Sequence, residues 1–318
     1  MIGKFVVKPH QNKEAAYVRA LAGKYQVVDY RKVRSYKDLL FGLFDNDIGH
    51  RQYHLARLHR AGAKTFVYPH TARPMLYWDW GHEPWPYTSC LFAQGVGHEM
   101  VLRRYGYELP VEVTGWTYSE IKPFKPVKKV ENVLFGPIHP CGVGLAWLSK
   151  IDLDYNRRVH AALVGWCRDN GAHLTVRYIH ELANNGIEPE KDVTYVRGKK
   201  EQTDSFKQIE SADLVVGHQT FAYLAVALGK PTLMFGEDTP PRDGINDKTL
   251  VFVRSWEKYA DLMIYPLDAL SGNGSMTSLG QLIETATTTD IPIAQWRERF
   301  IGKPFEPGYF VERLESYL

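Results

Sequence analysis

Apolar residues along this chain arrive in short runs separated by polar stretches with helical spacing. The runs Lys4 to Val7, Tyr25 to Tyr30, Leu39 to Phe44 and Lys64 to Tyr68 predict strands, and the 3.6-residue period over Arg51 to Arg60 predicts a helix. A second helix is expected from Gly97 to Tyr105 and a further strand over Val111 to Trp116. Such alternation argues for an α/β layer around a mainly parallel sheet.

The stretch SEIKPFKPVKKVEN then carries two prolines and four lysines with almost no apolar period, which places a linker at residues 118–130. After it the pattern restarts. Asn132 to Phe135 runs into the glycine-rich loop GPIHPCGVG, followed by an amphipathic helix over Leu153 to Cys167. Further strands are expected at His173 to Ile179, Val193 to Val196, Ala212 to Gly217 and Pro231 to Phe235, with a helix at Phe221 to Leu228. The expected fold is α/β, with two Rossmann-like doubly wound domains facing a cleft. The domains are 1–117 and 131–300, and a C-terminal helix within 301–318 packs back toward the first. Ile293 to Phe300 also reads as helical.

Composition narrows the classes. With 318 residues, 44% of them hydrophobic, the chain is long enough for two cores. Three cysteines, Cys90, Cys141 and Cys167, at wide spacing offer neither a disulfide framework nor a CxxC metal site, and fit a reducing, cytoplasmic setting. No apolar run reaches the length of a membrane span, and the first residues lack a secretory apolar stretch. A net charge of +3 admits an acidic ligand such as a nucleotide without requiring nucleic acid. Basic residues do gather in RKVRSYK, in HRQYHLARLHRAGAK and at Arg103 and Arg104. Tyr77, Trp78, Trp80 and Trp85 crowd a proline-rich loop between Tyr68 and Tyr87. A groove for DNA or RNA is one reading of that face, and a solvated positive surface is the other.

The most informative segment is Ser211 to Glu237, SADLVVGHQTFAYLAVALGKPTLMFGE. A strand ends in a small polar turn, Thr220 is placed to cap the following helix, and Gly-Lys-Pro leads into another buried strand. In an open parallel sheet, ligands sit beyond the carboxyl ends of strands, so Gly217, His218, Gln219 and Thr220 are placed at the ligand face. The amides and positive dipole end of that helix favour a diphosphate. Arg177, at the end of a strand, and Arg197, in VRGKK, suit bidentate neutralisation of phosphate. Gly136 and Pro137 open the glycine loop, where His139 and Cys141 also lie.

This arrangement resembles the nucleotide-sugar half of GT-B glycosyltransferases, in the strand, polar turn, helix and A-x-A-L-G-x-P succession. Val133 to Gly144 is similar to the first strand and loop of that half, VTYVRG at 193–198 to the loop that holds the base, and GHEMVLRRYGYELPVEVTGW to the close of the first half. The resemblance covers about residues 95 to 240. It implies a nucleotide-sugar co-substrate, with a UDP-sugar favoured, and no cofactor or bound metal. The implied donor-binding set is Gly136, Pro137, Arg177, Arg197, Gly198, His218, Gln219 and Thr220. Many family members hold the ribose hydroxyls with a Glu in this helix, where this chain has Ala225, so either Glu237 or Asp238 is expected to take that role or the ligand differs.

Transfer to a hydroxyl needs a base in the first domain. Asp47, after LLFGLF, His70, after TFVYP, and His98, in the GVGHE turn, are the candidates, with Asp45 and His50 behind them. His50, His54 and His59 make a poor zinc set, since His59 is off the shared helix face and no HExxH is present. The expected activity is transfer of a sugar from a nucleotide sugar to a hydroxyl acceptor, a hydroxymethylated DNA base among the candidates. The alternatives are a non-hydrolysing sugar-nucleotide epimerase and a catalytically inactive nucleotide-binding module. Oligomeric state is not legible.

Overall fold

A computed structural model of the chain describes residues 4–7, 15–45, 52–68, 87–104, 108–138, 146–179, 182–198, 202–217, 219–236, 264–266, 270, 278–289 and 291–318. The chain divides into two units, Met1–Tyr118 with Glu298–Leu318, and Ser119–Arg297.

In the first unit the strands are β1 (Lys4–Val7), β2 (Gln26–Asp29), β3 (Phe41–Asp45), β4 (Lys64–Tyr68), β5 (Cys90–Ala93) and β6 (Val111–Val113). Helices α1 (Ala15–Ala22), α2 (Gln52–Arg60) and α3 (Val96–Arg104) connect them. The sheet order is β2-β1-β3-β4-β5-β6, and every pairing is parallel. Strands such as CLFA at Cys90–Ala93 are buried at every position, as expected where helices cover both faces. Phe5, Phe41, Phe66 and Phe92 line the core, and Phe5 and Phe41 stack with centroids 4.9 Å apart.

The expected strand at Val111 to Trp116 stops at Val113; Trp116 instead makes an isolated bridge to Pro304. The chain's last helix, Pro307–Glu315, buries Phe310 and Leu314 in the core of the first unit. Glu112 of β6 accepts hydrogen bonds from Arg313 and, at 3.0 Å, from Tyr317, and the Arg313 bond holds the Glu112 carboxyl below its usual range.

The second unit carries β7 (Asn132–Phe135), β8 (His173–Tyr178), β9 (Val193–Arg197), β10 (Leu214–Val216), β11 (Thr232–Gly236) and β12 (Ile264–Pro266). Its helices are α4 (Ala146–Asn170), α5 (Gln202–Ser211), α6 (Gln219–Ala227), α7 (Leu279–Thr288) and α8 (Ile291–Phe300), the last ending in the first unit; the terminal helix is α9. The order is β12-β11-β10-β7-β8-β9, again all parallel. From β7 the chain first winds one way through β8 and β9, then the other way through β10, β11 and β12. The topological switch point therefore lies between β7 and β10.

The segment read as a linker has no regular structure, yet it is anchored. Lys122 donates its amide to Ala227 O, Lys125 to Gly229 O and Val127 to Thr287 O, so residues 119–130 belong to the second unit. Among the described residues, no helix is long and apolar enough to cross a membrane.

Candidate functional site

The switch point of the second sheet is bordered by the residues that follow β7 and β10, which are Gly136 and Gly217. Both glycines already spend their amides in the sheet, Gly136 donating to Val216 O at 2.9 Å and Gly217 to Leu233 O at 3.1 Å. Gly198 does the same toward Tyr178 O at 2.7 Å. These glycines therefore serve by lacking a side chain, rather than by offering N–H groups to a phosphate. A Cβ on Gly136 would fall 2.4 Å from the Phe221 ring, and one on Gly217 2.9 Å from it. Phe221, in the first turn of α6, fills the space both leave.

Arg177 completes this corner. It is the penultimate residue of β8 and is 8% exposed, and its Cζ lies 5.6 Å from the Phe221 ring centre. A Cβ on Gly198 would stand 2.5 Å from that Cζ, so the guanidinium lies between a bare backbone and an aromatic face. Burial pulls the Arg177 pKa down and the Asp204 charge on α5 pulls it back. A guanidinium stays charged under such shifts. A buried cation thus stands at the carboxyl ends of the strands, beside the first turn of α6, whose amides have no intrahelical acceptors. The two features together suit a dianionic group.

The loops that frame this corner are bolted to α4 by a residue the sequence did not single out. Asn156, fully buried, accepts the Ile138 amide at 2.8 Å and donates to Ile138 O at 2.9 Å and Asn185 O at 3.0 Å. Asn185 in turn donates to Ile179 O at 3.3 Å. The turns after β7, including Pro137, and after β8 are fixed to one side chain. The legible signal was a polar residue on the buried stripe of α4, beside Tyr155 and one turn before Val159 and His160. His160 continues that stripe, with its ring 3.0 Å from the Tyr195 hydroxyl.

The other candidates distribute unevenly. Arg197 ends the edge strand β9, is exposed, and pairs in register with Tyr178, so it lies one strand beyond Arg177. Helix α6 begins at Gln219, which makes Thr220 its second residue instead of its cap. Ala225 is fully buried. His218, Glu237, Asp238, His139 and Cys141 lie outside the described residues, as do the side chains of Gln219 and Thr220.

In the first unit, Asp47, His70 and His50 also lie outside the described residues. His98 sits in the first turn of α3, 2% exposed, with Nδ1 3.2 Å from Gly95 O. Its Nε2 has no partner among the described residues, and burial drives its pKa down to about 4. Gly97 ahead of it makes room for the Phe300 ring, 2.3 Å from where a Cβ would stand. The His54 ring is engaged by the Tyr36 hydroxyl, and among the described residues no three His, Cys, Asp or Glu side chains converge as a metal set.

No protein-family profile matches the sequence, and no curated protein sequence does either. Solved structures do match. S. aureus MnaA, in a structure with UDP, superposes with a TM-score of 0.59 at 11% identity over 100% of this chain and 97% of that one. The UDP-GlcNAc 2-epimerase of Neisseria meningitidis, bound to UDP-GlcNAc, gives 0.57 at 9% identity over 99% and 100%. The lipopolysaccharide outer core galactosyltransferase WaaB gives 0.53 at 13% identity over 100% of both chains. The fold is of the GT-B type, shared by UDP-sugar epimerases and glycosyltransferases alike.

Proposed function

We propose that this chain transfers a sugar from a nucleotide sugar, bound by the second unit, to a hydroxyl acceptor bound by the first. The observation that carries the reading is Arg177, a buried cation near the carboxyl end of β8, one strand from the switch point and against Phe221 at the start of α6. UDP is the favoured nucleotide, since two of the similar structures hold UDP or UDP-GlcNAc. In the transfer, the acceptor oxygen bonds to the anomeric carbon as the bond to the diphosphate breaks, and the hydroxyl proton passes to a base. Arg177 and the helix dipole stabilise the charge that develops on the leaving diphosphate. Arg197, Gly198, His218, Gln219 and Thr220 extend the donor site, and Glu237 or Asp238 reaches the ribose. Asp47 and His70 are the favoured bases. His98 is neutral at pH 7 but closed off from solvent, so it accepts a proton only after local opening.

The epimerase reading is favoured by the similar UDP-GlcNAc 2-epimerase structures, and an inactive module by Ala225. Incubation with UDP-glucose and UDP-GlcNAc, with and without an acceptor mixture that includes hydroxymethylated DNA, separates the three. UDP release that depends on acceptor is the expected result. An epimerised UDP-sugar formed without acceptor identifies an epimerase, and binding without either product identifies an inactive module.

A further inference from the structure

The first unit has its own switch point, between β1 and β3, because the chain winds from β1 to β2 on one side and from β3 to β6 on the other. Ligands in open parallel sheets lie beyond the carboxyl ends of strands at such points. Tyr30 directly follows β2, and Tyr53 and His54 open α2, which follows β3. The ring of Tyr30 meets that of His54 edge to face at 5.1 Å, Tyr53 meets it at 5.6 Å, and the Tyr36 hydroxyl bonds its Nδ1. Arg57, one turn along α2, holds its guanidinium 4.3 Å from the Tyr53 ring centre and 5.6 Å from that of Tyr36.

These contacts join two stretches that are far apart in sequence, 29–38 and 52–60. Together they carry six Lys and Arg against Asp29 and Asp38, a net charge of four that exceeds the +3 of the whole chain. Asp29 is itself committed to Arg31, through bonds at 2.6 and 3.1 Å. Tyr53, at the centre, is 58% exposed although it is a large ring. A cation-rich surface with an exposed, arginine-backed aromatic face has a defined chemistry. Cations neutralise phosphates, and the ring stacks a base that is not already stacked in a duplex.

We infer that this surface binds single-stranded nucleic acid, with Tyr53 as the stacking platform and Arg57 as a phosphate contact. The inference does not rest on sugar transfer, and it holds or fails whether or not the second unit binds a nucleotide sugar. Where transfer does occur, it names the acceptor class.

The test is fluorescence anisotropy of a labelled 15-nucleotide oligothymidylate with the full chain, from 50 to 200 mM salt. The expected result is saturable binding that weakens with salt, drops about tenfold in Tyr53→Ala, and persists in Tyr53→Trp. Arg57→Ala is expected to weaken binding and to flatten its salt dependence. Both positions are exposed, so the folded chain tolerates these changes. Absence of binding at 50 mM salt overturns the inference. So does binding that Tyr53→Ala leaves unchanged, or heparin or a 15-base-pair duplex outcompeting the single strand, since each marks a general polyanion face.

Discussion

His98 is buried with a neutral ring, and its physical consequence appears in acid. In the unfolded chain a histidine titrates near 6.5, whereas burial holds this one near 4. At neutral pH both states are uncharged and the residue contributes no pH dependence. As pH falls from 6.5 toward 4 the unfolded chain takes up a proton that the folded chain refuses, so stability is lost across that window, by about 2 kcal/mol at pH 5. His98→Asn keeps a donor for Gly95 O and removes the titration. Urea midpoints at pH 7 and pH 5 are expected to fall further apart in the wild type than in this variant; equal losses contradict the burial argument. Arg177 is the contrasting case, because its charge cannot be shed. It is held in a corner shaped by Gly198 and Phe221, and a counter-anion there gains from the low dielectric.

At the level of elements, the turn after α6 shows how a motif acquires its meaning from packing. The Gly-Lys-Pro turn resembles a family signature and reads from sequence as part of a ligand-binding half. In the structure Gly229, at φ +72°, presents its bare face to Pro123 of the linker, and a Cβ there would stand 2.0 Å from the Pro123 carbonyl oxygen. Lys230 then donates to Glu210 O and Ala212 O at 2.6 and 2.8 Å, tying the end of α5 to the turn before β10. Gly229→Ala is expected to cost about 3 kcal/mol, combining backbone strain with displacement of the linker. Gly171→Ala supplies the control. Its φ is +64° with nothing near its missing Cβ, and strain alone costs about 1 kcal/mol. Chemical denaturation of the two variants reads the difference; equal losses would mean that the Pro123 contact carries no stability.

At the scale of the molecule, much of the architecture was legible because parallel strands buried on both faces must read as apolar runs. Lys4–Val7, Lys64–Tyr68, Asn132–Phe135 and the stretch 214–235 announced themselves that way. Cys90–Ala93 did not, since four residues beside a proline-rich aromatic loop give no period to read. Helix α5, QTDSFKQIES, was missed for the opposite reason: Phe206 and Ile209 alone make its apolar face. The corner at the strand ends was legible as strand ends and glycines, and that rule singled out Arg177, which the structure buries near the end of β8. Asn156 was not, because its role depends on two turns that only the fold brings beside α4. The roles of Gly136, Gly198 and Gly217 were also hidden, because sequence cannot show that their amides are consumed by neighbouring strands.

A nucleotide diphosphate seated against Arg177 is the core of the proposed donor site. The direct measurement is thermal unfolding of wild type and Arg177→Met with UDP, GDP, CDP and ADP, the methionine keeping an unbranched side chain while removing the charge. A nucleotide at a hundred times its dissociation constant should stabilise the wild type by about 2.7 kcal/mol. The expected result is a selective shift, largest with UDP, that disappears in Arg177→Met. No shift with any nucleotide, or a shift that survives the substitution, would contradict it.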